Sequence, residues 1–241
     1  MTSLPKDSNK KLGLLIDLDV CVGCHACSVS CKEWNTLGTA GPLSDIDEHG
    51  SSPDGVWFNR VHSFEIVDNE KDSSFYFPKS CLHCENAACV TVCPTGASYK
   101  RAEDGIVLID ESKCIGCKLC SWACPYGARE YDQVQGTMKK CTLCVDRIYN
   151  ENLEEQERVP ACVSACPTNA RHFGDFNDKD SFVSKKVQER GGSDLMPELD
   201  YKPVNKYLHP KTKKTNEEGE LLHTASSKEN KILQWLDSFL S

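Results

Sequence analysis

Cys114-Ile115-Gly116-Cys117-Lys118-Leu119-Cys120-Ser121-Trp122-Ala123-Cys124-Pro125 places four cysteines in the spacing C-x2-C-x2-C-x3-C, closed by a proline. This is a known ligand run for cubane iron–sulfur clusters, in which the fourth cysteine serves the other cluster of a pair. The remaining cysteines of the sixteen fall into three further groups of four. Cys21, Cys24, Cys27 and Cys31 repeat the compact spacing. Cys81, Cys84, Cys89 and Cys93 have a middle gap of four, and Cys141, Cys144, Cys162 and Cys166 one of seventeen. Pro94 and Pro167 follow the last cysteine of their groups, as Pro125 does, whereas Lys32 stands there in the first group.

The spacing suits a cubane for physical reasons. Thiolates two residues apart wrap a tight loop round one side of a small inorganic core. Gly23 and Gly116 lie inside such loops, where the backbone turns sharply and approaches the core closely. A proline after the last cysteine removes a backbone donor and keeps that cysteine extended or in a turn. Four groups therefore predict four [4Fe–4S] clusters and a chain that carries electrons. Disulfides would suit a small secreted protein, but no cleavable signal is read here, and close C-x2-C pairs on tight loops fit ligation better. Structural zinc is the serious rival, since two C-x2-C pairs are a common zinc site. Zinc does not need the third cysteine two residues on, which groups one and three both have. Cys141-x2-Cys144 with Cys162-x3-Cys166, taken alone, reads equally as a zinc ribbon; membership in a set of four, and Pro167, favour the cluster.

The 241 residues permit one or two domains, with hydrophobic content of 39% and charged content of 27%. Clusters substitute for core in such small units. The net charge of −8 argues against a nucleic-acid role. Lys113, Lys118, Arg129, Lys139, Lys140, Arg147, Arg158 and Arg171 lie near cysteine groups, as counter-charges or as ordinary solvated cations. No run of eighteen apolar residues is present to span a membrane, and residues 12–16 are too short for a signal core. Residues 232–236 read as one amphipathic turn.

Residues 12–20 read as a strand leading into the first cysteine loop. Residues 38–55, rich in Gly, Ser, Pro and Asp, read as loop, and 56–67 alternate as a strand. Residues 97–101 and 106–110 flank Glu103-Asp104-Gly105 as a hairpin. Residues 127–131 and 170–173 repeat a short strand after a last cysteine. Residues 181–190 read as a helix ended by Gly191-Gly192, and the charged stretch 193–230 as either a disordered tail or an extended arm on a partner. Groups two and three are close enough to form one compact module, 75–136. Groups one and four must then pair around it, so the module comprises 1–36 plus 137–176, with 37–74 an insertion and 177–241 a C-terminal extension and candidate interface arm. The fold class is α+β: two ferredoxin-like two-cluster modules, one inserted in the other, with long loops and an extended C-terminal tail.

The order of the groups, the gap of four in Cys81-Leu-His-Cys-Glu-Asn-Ala-Ala-Cys89 and the long gap after Cys141-Thr-Leu-Cys144 closely resemble the iron–sulfur subunits of DMSO reductase-family molybdenum complexes. Cys21-Val-Gly-Cys-His-Ala-Cys27, Cys93-Pro-Thr-Gly-Ala97 and Cys124-Pro-Tyr-Gly-Ala128 carry the same likeness, which covers residues 12–176. Such subunits hold four [4Fe–4S] clusters and pass electrons between a molybdopterin-containing catalytic subunit and a quinone-reactive membrane anchor, with no catalysis of their own. Carried over, the resemblance implies a first ligand set of Cys21, Cys24, Cys27 and Cys166 and a second of Cys141, Cys144, Cys162 and Cys31. It implies a third of Cys81, Cys84, Cys89 and Cys124 and a fourth of Cys114, Cys117, Cys120 and Cys93. Some relatives lack a cysteine at the second position of group three and carry a [3Fe–4S] centre; Cys117 fills that position here. The resemblance also implies that the group one/four module faces the molybdenum subunit and the other faces the anchor.

The stretches Gly41-Pro-Leu-Ser-Asp-Ile-Asp47 and Gly55-Val-Trp-Phe-Asn-Arg-Val-His62 look like those of cytoplasmic, membrane-bound sulfite dehydrogenases that reduce quinone; DMSO, thiosulfate and polysulfide reductases are the alternatives. The implied location is cytoplasmic, peripheral on the inner face of the membrane through a partner subunit. A polyferredoxin-like partner of a hydrogenase is the rival with the same chemistry, and a zinc-stabilised interaction module the rival from another class. His25, His83 and His172 lie near cluster loops in sequence; with four cysteines for each cubane they read as hydrogen-bonding neighbours rather than ligands. Trp34, Trp57 and Trp122 read as packing or interface residues. Cluster potentials span roughly −700 to +450 mV with environment, so the ligands do not set the direction of electron flow.

Overall fold

The computed structural model describes residues 2–36, 56–68, 71–210, 212–215 and 221–224. The loop read over 38–55, including Gly41–Asp47, and the turn at 232–236 lie outside the described residues. In chain order the elements are β1 (Leu12–Asp17), α1 (Ala26–Thr36), β2 (Asn59–Asp68), β3 (Lys71–Ser80), α2 (Ala88–Thr91), β4 (Ser98–Lys100), β5 (Val107–Ile109) and α3 (Leu119–Trp122). There follow β6 (Glu130–Asp132), β7 (Thr137–Lys139), α4 (Val145–Ile148), α5 (Ala161–Ser164), β8 (Arg171–Asp175), α6 (Phe182–Arg190), β9 (Gly192–Ser193), β10 (Lys206–Leu208), β11 (Thr212–Thr215) and β12 (Leu221–Thr224).

The apolar run Leu14-Leu15-Ile16 is fully buried because β1 is a central strand. It pairs antiparallel with β8, from Leu12 opposite Asp175 to Ile16 opposite Arg171. The strand before cysteine group one and the strand after group four thus share one sheet. The other neighbour of β1 is β10, in parallel, with β9 on the outer edge. Three two-stranded hairpins, β2–β3, β4–β5 and β6–β7, lie between these limbs in sequence. One core cluster joins Leu14 and Ile16 of the sheet to Val61, Phe75 and Phe77 of β2–β3, Leu82, Leu108, Tyr126 and Tyr207. Phe77 stacks on Tyr207 with centroids 4.7 Å apart.

Helix lengths follow the prolines. Pro94, Pro125 and Pro167 each stop the helix before them, and α2, α3 and α5 are four residues long. Lys32 in place of proline lets α1 continue for eleven residues. The Lys32 side chain is itself buried, donating to the Val56 carbonyl at 2.9 Å over the Trp57 ring. The Asp104-Gly105 hairpin forms as read, with Gly105 at φ +73°. The fully buried Asp104 accepts from Ile106 N–H at 3.0 Å and Tyr149 O–H at 2.9 Å, and pairs with Arg101 at 3.0 Å.

Three boundaries differ from the sequence reading. The strand read over 56–67 begins at Asn59 and is half of a hairpin whose other half, β3, runs to Ser80, so a boundary at 74/75 cuts a strand. A boundary at 136/137 likewise separates β6 from β7, which are paired. The third difference is the C-terminal extension. The helix is present as read, with Ser181 accepting from Ser184 N–H at 3.2 Å and Gly191 at φ +71°. Beyond it, residues 195–208 are neither a disordered tail nor a free arm: they strap the group-two loop to the sheet. Glu85 N–H donates to Lys202 O at 2.9 Å and Val204 N–H to Leu82 O at 3.0 Å. Buried Asn205 accepts from Leu14 N–H at 2.8 Å and donates to Cys81 O at 3.0 Å. Replacing Asn205 by alanine strands both buried groups. The expected cost is roughly 2–5 kcal/mol, read as a lower urea midpoint for loss of cluster absorbance.

Candidate iron–sulfur centres

All sixteen cysteines are free, and their loops share one backbone device. The third residue of the first C-x2-C pair in each group is left-handed: Gly23 (φ +66°), His83 (+49°), Gly116 (+66°) and Leu143 (+54°). Glycine makes that conformation cheap in two groups, while His83 and Leu143 adopt it at a cost of about 1–2 kcal/mol each. A Cβ on Gly116 would also lie 2.5 Å from the Gly136 carbonyl oxygen of the β6–β7 turn. Gly116→Ala should therefore deplete iron from one centre, with iron and sulfide content as the measurement. The short helices then set direction. Cys27 and Cys31, one turn apart on buried positions of α1, share a face but reach different neighbours.

Two of the four expected sets line cavities, and the cysteines of the other two lie near one another. Cys21, Cys24, Cys27 and Cys166 line one cavity, and Cys93, Cys114, Cys117 and Cys120 line another. Cys84, Cys81, Cys124 and Cys89 are mutual neighbours: burial pushes the Cys84 thiol far up, and the other three add to the rise. Cys31 is raised in the same way by burial and then by Cys141, Cys162 and Cys144. Asn35 links this set, its amide nitrogen lying 3.6 Å from the sulfurs of both Cys31 and Cys144. Burial pushes Cys124 and Cys162 up to about 11 and Cys141 to about 12. Four thiolates crowded into such a site require compensating positive charge, which iron supplies.

Several observations fit the donor sets to cubane clusters. Cavities lie between Cys21, Cys24, Cys27 and Cys166 and between Cys93, Cys114, Cys117 and Cys120. Backbone N–H groups are aimed at thiolate sulfur: Ser98 to Cys93 (3.4 Å), Met138 to Cys114 (3.3 Å), Leu143 to Cys141 (3.4 Å) and Ala170 to Cys166 (3.2 Å). Buried donors without a partner among the described residues include His83 Nε2, Arg129 Nε and Nη1, and Arg171 Nε. Cluster sulfides are acceptors that would satisfy them.

The remaining candidates are placed as follows. His83 is fully buried and its Nδ1 accepts from Val107 N–H at 3.1 Å, so the ring proton sits on Nε2. Burial, then Lys140, Lys100 and Arg129, hold it well below the ordinary histidine range. His25 is left-handed at φ +58° after Cys24. His172 lies against the Phe182 ring, with centroids 4.8 Å apart. Trp34 donates to Asp146 at 2.8 Å beneath the Arg147 guanidinium, a packing role, whereas Trp122 is 86% exposed. Of the eight flanking cations, Arg129, Lys140 and Arg171 are buried. Lys140 donates to the Cys141 carbonyl. Lys113 pairs with Asp110 at 2.8 Å, Lys139 with Glu111 at 3.0 Å, and Lys118 lies over the Tyr131 ring. Arg147 and Arg158 donate to the carbonyls of Val159 and Leu153.

Two matches to 4Fe-4S dicluster domain families cover residues 20–97 and 73–176. The chain is 62% identical to the B subunit of sulfite dehydrogenase from Allochromatium vinosum, over 82% of each protein. It is 37% identical to a putative dimethyl sulfoxide reductase iron-sulfur subunit of Halobacterium salinarum, over 82% of this chain and 78% of the relative. With the B component of anaerobic dimethyl sulfoxide reductase from Escherichia coli the identity is 38%, over 69% and 74%.

Proposed function

This chain belongs to the family of four-cluster ferredoxin-type iron–sulfur subunits that includes those of sulfite dehydrogenase and dimethyl sulfoxide reductase; on that premise we propose that it relays electrons from a molybdopterin-containing catalytic subunit that oxidises sulfite to a quinone-reactive membrane anchor. As an electron-transfer subunit with two dicluster domains it carries four [4Fe–4S] clusters, each of which takes up and passes on one electron at a time. Two electrons pass for each turnover of a two-electron substrate, and no side chain of this subunit acts on the substrate.

The ligand partition we propose is the four sets above: Cys21, Cys24, Cys27, Cys166; Cys141, Cys144, Cys162, Cys31; Cys81, Cys84, Cys89, Cys124; and Cys114, Cys117, Cys120, Cys93. The observation that carries the relay is their linear order. Cys27 and Cys162 adjoin between the first and second sets, Cys141 and Cys81 between the second and third, Cys120 and Cys89 between the third and fourth. Only Cys24 and Cys117 of the sixteen are exposed, one in each terminal set. Exposed apolar residues neighbour both in sequence: Val22 and Val29 beside Cys24; Ile115, Leu119 and Trp122 beside Cys117. A wire with buried middle sites and two exposed ends has one end for each partner. The β1–β8 pairing supports a nested arrangement, in which groups one and four form a module interrupted by groups two and three.

The first module faces the molybdenum subunit in this reading and the second faces the anchor, which holds the complex at the inner face of the cytoplasmic membrane. Purifying the tagged chain with its native partners tests it. Molybdenum should co-elute and sulfite should drive quinone reduction. Nickel in its place would point to a hydrogenase partner, and DMSO turnover without sulfite oxidation to a reductase.

A further inference from the structure

One buried arginine stands between the two cysteine sets of each pair. Arg129, 1% exposed, donates from Nη2 to Cys89 Sγ at 2.9 Å, in the third set, and to Ser98 Oγ at 2.8 Å. It also lines the cavity of Cys93, Cys114, Cys117 and Cys120, the fourth set. Arg171, 2% exposed, lies with Nη1 3.7 Å from Cys162 Sγ, in the second set, and donates from Nη2 to Asn59 Oδ1 at 2.5 Å. It lines the cavity of Cys21, Cys24, Cys27 and Cys166, the first set. Each arginine is five residues beyond a last cysteine, Cys124 or Cys166; the corresponding positions after Cys93 and Cys31 are Ser98 and Thr36. Each pair therefore has an arginine at one of its two such positions. Burial disfavours the guanidinium charge, but the sulfurs around each arginine outweigh it.

Resting on the ligand partition above, we propose that Arg129 and Arg171 are potential-setting bridges, each donating N–H groups to sulfur of both clusters in its pair. Nε and Nη1 of Arg129 and Nε of Arg171 are the buried donors left for this task. An added electron makes a cluster more negative, so a fixed cation beside it favours the reduced state. A guanidinium stays protonated and presents its donors in a rigid fork, which an ammonium cannot do. Ser98 and Asn59 hold the forks in place, so their dipoles do not have to reorganise as the electron passes. Because each charge is shared, it raises both potentials of a pair together and keeps the step between them shallow.

Redox titrations of Arg129→Gln and Arg171→Gln in the full complex, followed by EPR with iron content measured in parallel, test this. Each variant should lower two of the four centres, a different two in each case. The double variant should lower all four. Each shift should reach at least tenfold in the one-electron reduction equilibrium, which is 59 mV. Should a glutamine variant lose iron, the matching lysine variant, which keeps the charge without the fork, should retain it with potentials nearer to wild type. Unchanged potentials at full iron content, or a shift confined to one centre, would overturn the proposal. So would loss of iron from glutamine and lysine variants alike, which would make the arginines props for the loops. Failure of the ligand partition would show separately, as a centre altered by Cys117→Ala that is not one of the two answering to Arg129→Gln.

Discussion

Replacing Cys117 by alanine is expected to convert one [4Fe–4S] centre to [3Fe–4S] while the rest of the chain stays folded. Cys117 is exposed, so its loss opens no cavity in the core. Its loop is fixed by the left-handed Gly116 and Lys118, and Cys93, Cys114 and Cys120 remain to hold the other irons. The affected centre is terminal in the proposed relay, so electron delivery to quinone should fall, and the one-electron equilibrium at that centre should change about tenfold for each 59 mV by which it moves. Oxidation of the molybdenum subunit by an artificial acceptor should be spared. Cys24→Ala makes the reciprocal case, blocking entry at the opposite end. An EPR spectrum unchanged by Cys117→Ala would mean that this cysteine binds no iron.

Anaerobic removal of iron by a chelator is expected to unfold the chain. Half of the cysteines, including Cys27, Cys81, Cys141 and Cys162, are buried among the core residues. Without iron, their neighbours lose what satisfies them: the unpartnered donors of His83, Arg129 and Arg171 stay buried at roughly 1–3 kcal/mol each. Left-handed His83, Lys118, Leu143 and Cys144 would each retain a strain of about 1–2 kcal/mol. Helices α2, α3, α4 and α5, of four residues, do not persist unsupported. Together these costs are comparable with the whole stability of an ordinary domain, about 5–15 kcal/mol. Circular dichroism should therefore fall cooperatively as iron leaves. A chain that keeps its spectrum and a sharp thermal transition after complete iron removal would show that the protein core suffices.

The cysteine sets were legible because a small inorganic core imposes short, fixed spacings on the chain. Lys32 was legible as an exception, and its consequence, a helix that runs on through Thr36, follows from the missing proline. The strand β3 was hidden: Lys71-Asp-Ser-Ser is polar, and Pro78 interrupts the run where it lies opposite Val61. A two-stranded hairpin tolerates a proline because one side of each strand has no partner to lose. The three residues of β7 or β10 carry too little pattern to read. Partnering of β10 with β1 depends on chain segments far apart in sequence, and its anchor Asn205 looks like any loop asparagine until Leu14 and Cys81 are seen on either side. Arg129 and Arg171 were visible only as two cations among eight; what singles them out is burial between sulfurs, which is a property of the fold.

The most direct test of the relay is a potentiometric titration of the anaerobically purified native complex, with iron, sulfide and zinc quantified on the same sample. Four irons and four sulfides for each of four clusters, resolved as four one-electron centres that are all reduced by one partner and reoxidised by quinone, is the result this structure predicts. Near-zero iron with stoichiometric zinc, or a full iron complement whose centres do not respond to either partner, would contradict it.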